Sequence, residues 1–206
     1  MKISVADQGG AIMKKNIKNI LVISILAAVA LGYYYYLANR TLPQDATEQA
    51  ANNTELAALT TRDIEANYPE SPKEIVDLYA RITRAYYDSN TSDEKVQELG
   101  KQARLLFDDE LKGTQTEEEF LKALQEDVDS YRSIKRYVSE YKIEGSSDTK
   151  YTKLNSKEYA SIDMVYYIRD NSKLEYSYNR FVMRKDEKGR WKILYWKLIS
   201  PEDISG

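Results

Sequence analysis

The 206-residue chain contains no histidine and no cysteine. That removes the side chain that titrates near neutral pH and the one that gives a thiolate nucleophile. Any proton transfer or cation binding would fall to carboxylates, tyrosines and lysines. Two acidic runs are the first candidates, Asp108-Asp109-Glu110 and Glu117-Glu118-Glu119. A cation site would need their carboxylates to converge on one point. Adjacent helical residues point apart, however, and negative charge at a helix N-terminus is favourable without any ligand. Asp127 and Asp129 read as a solvated face. No phosphate-cradling glycine loop and no metal-spaced cluster occurs. No catalytic residue, metal or cofactor is expected.

Tyrosine is the unusual feature. The chain has 18, and nine of them lie between Tyr137 and Tyr195. A tyrosine-lined concavity could hold a ring or a glycan by stacking and by hydroxyl hydrogen bonds. The plainer reading is that tyrosine suits a half-buried strand. The candidate lining is Tyr137, Tyr141, Tyr166, Tyr178, Arg180 and Trp191. Asp163 is the acid to watch. It alternates with Ile162 and Met164, so it is expected on the face away from the helices. Asp163→Asn should then change stability by under ~0.5 kcal/mol, as at an ordinary surface position.

These residues must be positioned by three helices and a meander. Ser71, Pro72 and Glu74 form an N-terminal signature, followed by Ile75, Leu78, Tyr79, Ile82 and Tyr86 at helical spacing. Ser92 caps a second helix carrying Val96, Leu99, Ala103, Leu106, Phe107 and Leu111, which Gly113 ends. Thr116 and Glu119 cap a third, with Phe120, Leu121, Leu124, Val128 and Tyr131. The period then changes to two. Tyr137, Tyr141 and Ile143 alternate with charges, and a Ser-, Asp- and Lys-rich loop follows. Ala160, Ile162, Met164, Tyr166 and Ile168 share one face of a long strand. Leu174 to Lys185 is the next strand, with an irregularity expected near Asn179–Arg180, where the large apolar residues change parity. Asp186-Glu187-Lys188-Gly189 turns the chain into a last strand, Arg190 to Ile199. There Trp191, Ile193 and Tyr195 share one face, and Leu194, Trp196 and Leu198 the other. Helices first and strands after imply α+β rather than α/β.

Charge divides the chain further. Residues 1–40 carry a net +4 and the remainder −7, for a total of −3. No nucleic-acid footprint is present. Residues 19–39 are uncharged, and as a helix they would reach ~32 Å, enough for a ~30 Å hydrocarbon core. A transmembrane helix or signal anchor is expected there, with the lipid bilayer as its partner. Lys14, Lys15 and Lys18 place the N-terminus in the cytoplasm and the rest outside. Ala28-Val29-Ala30 leaves open a cleaved signal peptide. Met13-Lys14-Lys15 resembles the usual start of an anchor, so 1–12 are expected to lie upstream of the true start; a short cytoplasmic tail is the alternative. The resulting division is a tail over 1–18, the span over 19–39, a tether over 40–68, an α+β domain over 69–200 and a tail over 201–206. A short helix is expected near Glu55–Arg62, and a soluble fragment beginning near Thr60 is the natural piece to screen for ligand-dependent shifts in melting temperature.

The three helices and the meander closing in Gly189-Arg190-Trp191-Lys192-Ile193 resemble the NTF2-like cone fold over about residues 70–200. The resemblance implies three helices on a curved antiparallel sheet of about four strands, with room for a pocket between them. The hairpin common between the second and third helices of that fold is absent here. Basic tail, span, tether and domain together also resemble single-pass envelope proteins of Gram-positive bacteria. The function expected is a non-enzymatic extracytoplasmic interaction module in the cytoplasmic membrane, working with an envelope protein partner. The alternative is a small-molecule or glycan-binding pocket, possible also as an isomerase-like site.

Overall fold

The computed structural model describes residues 43–171 and 173–204. The expected span at 19–39 and the tail at 1–18 lie outside the described residues. No helix among the described residues is long and apolar enough to cross a membrane. The expected layout of a membrane-crossing helix, three further helices and about four strands is therefore corrected. The described chain is α+β, with five α-helices and a five-stranded antiparallel sheet.

The helices are α1 (Pro43–Thr60), α2 (Pro72–Tyr86), α3 (Asp93–Leu105), α4 (Asp109–Lys112) and α5 (Glu117–Ser133). The strands are β1 (Arg136–Ile143), β2 (Lys150–Leu154), β3 (Lys157–Asp170), β4 (Lys173–Lys185) and β5 (Trp191–Leu198). The chain divides into a unit up to Ala51 and a compact unit from Asn52 to Gly206. All of the packing below lies in the second unit.

Most of the expected tether is helical. The part of α1 from Asn52 onward belongs to the compact unit, and Leu59 is only 1% exposed. Glu55 receives Arg81 in a two-point ion pair at 2.6 and 3.1 Å, and Arg84 donates to the Asn52 amide oxygen at 3.3 Å. A polar composition hid the buried Leu59 and the half-buried Leu56.

The three caps form where the sequence places them. Ser71 accepts the Glu74 N–H at 3.2 Å, and Ser92 accepts that of Lys95 at 3.4 Å. Glu74 reaches past Ser71 to the Glu70 N–H at 2.8 Å, so that box is only half made. Thr116 and Glu119 exchange both bonds, at 3.2 and 2.8 Å. The second helix differs. It stops at Leu105, because Leu106 and Asp108 turn to pair with β5. Ile193 N–H donates to the Leu106 carbonyl and Asp108 N–H to that of Ile193, both at 2.8 Å. Asp108 then caps the single turn of α4, accepting the Glu110 N–H at 2.9 Å.

The sheet runs β1-β3-β4-β5, with β2 also pairing β3. β2 replaces the expected loop. It joins β3 through Asn155 and Ser156, both at positive φ of 48° and 66°, the backbone of a two-residue hairpin turn. The even residues of β3 face the helices as expected, with Ala160, Ile162, Met164 and Tyr166 buried.

The irregularity expected near Asn179–Arg180 is absent. β3 and β4 pair without a break from Tyr159↔Arg184 to Asp170↔Lys173. The parity does not change there: the inward face passes from Met183 and Phe181 to the polar Asn179 and Ser177. The extra residues are in β1 and β5 instead. Ser139 is inserted between Val138↔Ile168 and Glu140↔Tyr167, and its hydroxyl donates to the Tyr167 carbonyl at 3.0 Å. Leu194 is inserted between Met183↔Ile193 and Val182↔Tyr195. A bulge shifts the alternation by one. Val138 therefore turns inward and Tyr137 outward, while Trp196 joins Ile193 on the helix side and Tyr195 faces away.

Candidate functional site

A cavity of about 440 Å³ lies between α2, α5 and the inner face of the sheet. Its walls are rings. Tyr79 and Tyr86 come from α2, Tyr87 from its C-cap, Phe120 and Tyr131 from α5, and Tyr166, Phe181 and Trp196 from the sheet. Trp196 lies stacked on Phe181 with centroids 5.9 Å apart and tilts over Tyr79 at 5.5 Å. Tyr87 and Tyr131 stack at 4.3 Å. Aromatic rings bring large apolar surface and fixed shape at little cost in rotamer freedom, so such walls hold their form.

The polar groups are few. Thr83 and Tyr86 share a hydrogen bond at 3.2 Å. The Asn179 amide N–H₂ is tied to the Ser177 carbonyl and hydroxyl at 2.9 and 3.0 Å. Asp127, exposed on α5, accepts a short hydrogen bond from the Tyr87 hydroxyl. Tyr166 stands apart: the residue is 8% exposed, and its hydroxyl makes no close hydrogen bond, the Thr83 hydroxyl being its one polar neighbour among the described residues. The neighbouring Thr83 hydroxyl is engaged by Tyr86. Burial pushes the phenols of Tyr79, Tyr86, Tyr87, Tyr131 and Tyr166 above their ordinary range. They stand as neutral hydroxyls at physiological pH, able to donate and accept but not to act as bases.

A buried hydroxyl left without a partner costs ~1–3 kcal/mol. Tyr166→Phe is therefore expected to raise stability by about 1 kcal/mol, read as a higher urea midpoint at unchanged slope. A lower midpoint would show that the hydroxyl is already satisfied in the free protein.

Of the six lining candidates, the cavity takes Tyr166 alone. Tyr137 faces outward, opposite Arg169. Tyr141 is on the inner face, but its hydroxyl donates to Asp77 at 2.9 Å, away from the cavity. Tyr178 lies on the outer face opposite Val165 and stacks on Tyr176 at 6.2 Å. Trp191 sits at the other end of the sheet, against Tyr151 and under the Lys185 ammonium. Arg180 is also on the outer face, in a two-point ion pair with Asp163, both bonds at 2.6 Å. Asp163 faces away from the helices, as its parity requires, but it is 2% exposed rather than a surface residue. The small effect expected for Asp163→Asn is corrected accordingly. Sequence reasoning missed Trp196, Phe181 and the α2 and α5 tyrosines as walls. The three-residue step from Ile193 to Trp196 was the available signal.

The acidic runs also find ordinary roles. Asp108 is held by Arg184 through both oxygens, and Glu119 completes its cap. Lys192 is the one further buried cation among the described residues with a strongly shifted proton affinity. Burial, with Arg190 and Lys112 adding to it, lowers its pKa to about 8, although Nζ donates to the Leu105 carbonyl at 2.7 Å and lies 4.2 Å from the Tyr68 ring. Below pH 8 the folded protein carries a charge it disfavours. Between about 8 and the ordinary lysine value of 10.5 the unfolded chain holds the extra proton, so stability rises with pH across that window. The slope of melting temperature against pH from 8 to 10 should flatten in Lys192→Met.

A profile for a family described as a domain of unknown function, DUF6715, matches residues 11–196. No curated protein matches the chain.

Proposed function

The chain belongs to this DUF6715 family, and from the site itself we propose that it is a non-enzymatic binding module for a small ring-bearing molecule. The observation that supports it most is the unpartnered Tyr166 hydroxyl in a ring-walled cavity. Stability alone would favour phenylalanine at that position, so the hydroxyl is best explained by a ligand that completes its hydrogen bond. The resemblance to NTF2-like domains, which can hold a pocket between helices and sheet, adds to this reading. So does the cavity's lack of a group that exchanges protons near pH 7, since the phenols are pushed up and the chain has no histidine.

The test is thermal melting of the full chain, purified in detergent, with small aromatic compounds such as 4-ethylphenol. A concentration-dependent rise is expected, and Ala123→Trp at the cavity mouth should remove it while the unliganded melting temperature stays unchanged. No rise in the parent protein, or the same rise in the variant, would overturn the proposal.

The location proposed is outside the cytoplasmic membrane, supported by the uncharged run 19–39 and the flanking Lys14, Lys15 and Lys18. Because the chain has no cysteine, Glu187→Cys in the exposed β4–β5 turn offers one labelling site. A membrane-impermeant maleimide should label it in intact cells; labelling only after lysis would place the domain inside. Docking of an envelope protein is a second reading, favoured by Tyr176 and Tyr195, 52% and 45% exposed on the outer face of the sheet. Photo-crosslinking from position 176 in cells should then trap one discrete partner band.

A further inference from the structure

We propose that the ligand is an organic cation: an amine joined to a ring that carries an oxygen at its far end. This rests on the reading of the cavity as a binding site and goes beyond it by naming the charge and polarity of the occupant.

Charge comes first. Among the described residues no lysine or arginine lines the cavity, and Asp127 is the one charged residue that does. Ring faces carry partial negative charge, and the exposed carboxylate of Asp127 stands at the edge of these ring walls, so walls and acid together favour a cation over an anion. An anion entering it would lose its water and meet no counter-charge. A cation would meet both the rings and the acid. Two wall rings already attract cations from outside the cavity: the Arg136 guanidinium lies 5.6 Å from the Tyr131 centroid, and that of Arg104 lies 5.4 Å from Phe120. Neither arginine lines the cavity, and Arg136 is further occupied by Asp170 and Glu175.

Polarity sets the rest. Asp127 is exposed, and its Oδ2 takes the Tyr87 hydroxyl, which holds the carboxylate in place and leaves Oδ1 for an ammonium N–H. Tyr166 is buried and makes no close hydrogen bond, with Thr83 its one polar neighbour among the described residues. A single ligand satisfies both when its ammonium lies at the exposed acid and its oxygen at the buried phenol, with an apolar ring between them. A plain hydrocarbon leaves both groups unmet, and a carboxylic acid sets like charges together at Asp127.

The experiment titrates the full chain in detergent with four probes and follows quenching of tryptophan fluorescence, Trp196 being in the wall. The probes are tyramine, phenethylamine, 4-ethylphenol and 3-(4-hydroxyphenyl)propionate. Tyramine should bind roughly tenfold tighter than 4-ethylphenol, the size of a partly desolvated cation–ring contact, and the propionate weakest. Asp127→Asn, a surface change, should bring tyramine and 4-ethylphenol together. Tyr166→Phe should bring tyramine and phenethylamine together. If 4-ethylphenol or the propionate binds as well as tyramine, the cationic ligand is excluded while the cavity remains a binding site. If none of the four binds, both proposals fail.

Discussion

Arg180→Met is expected to lower the stability of the domain by about 3–5 kcal/mol, the range for breaking a buried ion pair from one side. The reason is the asymmetry of the pair. Asp163 is 2% exposed, whereas the Arg180 side chain keeps a quarter of its surface. Removing the arginine strands a carboxylate that water does not reach. It also frees the Asp203 carbonyl, to which the same guanidinium donates at 2.9 Å. Glu144 cannot substitute. It lies beside Asp163, accepting that residue's N–H at 3.3 Å, and burial with the Asp163 charge already raises its proton affinity. Replacing both partners, as in Asp163→Val with Arg180→Met, should recover most of the loss, because an apolar pair leaves nothing unpaired. Urea unfolding of the two single variants and the double variant measures this. A loss under ~1 kcal/mol for Arg180→Met would mean that Asp163 finds water or another partner.

A fragment starting at Thr61 is expected to be far less stable than one starting at Pro43. Leu59 is 1% exposed in the core, Leu56 packs against it, and Glu55 holds Arg81. Leu59→Ala alone should cost ~2–5 kcal/mol, as for a leucine deleted from a core that collapses only in part. The truncation removes that contact together with its neighbours, so a domain of ordinary stability would be left marginal. Comparison of the urea midpoints of the two fragments decides the matter. Equal midpoints would show the α1 leucines to be dispensable.

Local signals carried the helices well. Ser71, Ser92 and Thr116 all cap where a small hydroxyl precedes an apolar run, because capping depends only on residues within one turn. The inward face of β3 was legible for the same reason: Ala160 and four large apolar residues, each two apart, admit one register. What failed depended on partners far away in sequence. Leu106 and Phe107 continue a helical period, yet hydrogen bonds to Ile193 end the helix. Lys150 to Leu154 show no alternation, since all five positions are exposed, and Asn155-Ser156 lacks the glycine that usually marks such a turn. The cavity was the least legible part. Tyrosine occurs on both faces of the sheet, at Tyr166 inward and at Tyr167, Tyr176 and Tyr178 outward, so its presence did not reveal which side holds a pocket. Tyr79, Tyr86 and Tyr131 carry the spacing of helix core, because a wall and a core share one periodicity.

Ser139 and Leu194 lie in β1 and β5, the strands that end the β1-β3-β4-β5 order. An outer strand offers unpaired N–H and carbonyl groups, and a flat one invites another chain to add a strand of its own. An inserted residue breaks the regular spacing such addition needs, and on β5 the main chain of Leu106 and Asp108 already occupies Ile193. The residue that turns Trp196 into the cavity thus also guards the sheet against growing into a polymer. Deleting Leu194 would restore an unbroken edge, and the resulting protein should aggregate during refolding at concentrations where the parent does not.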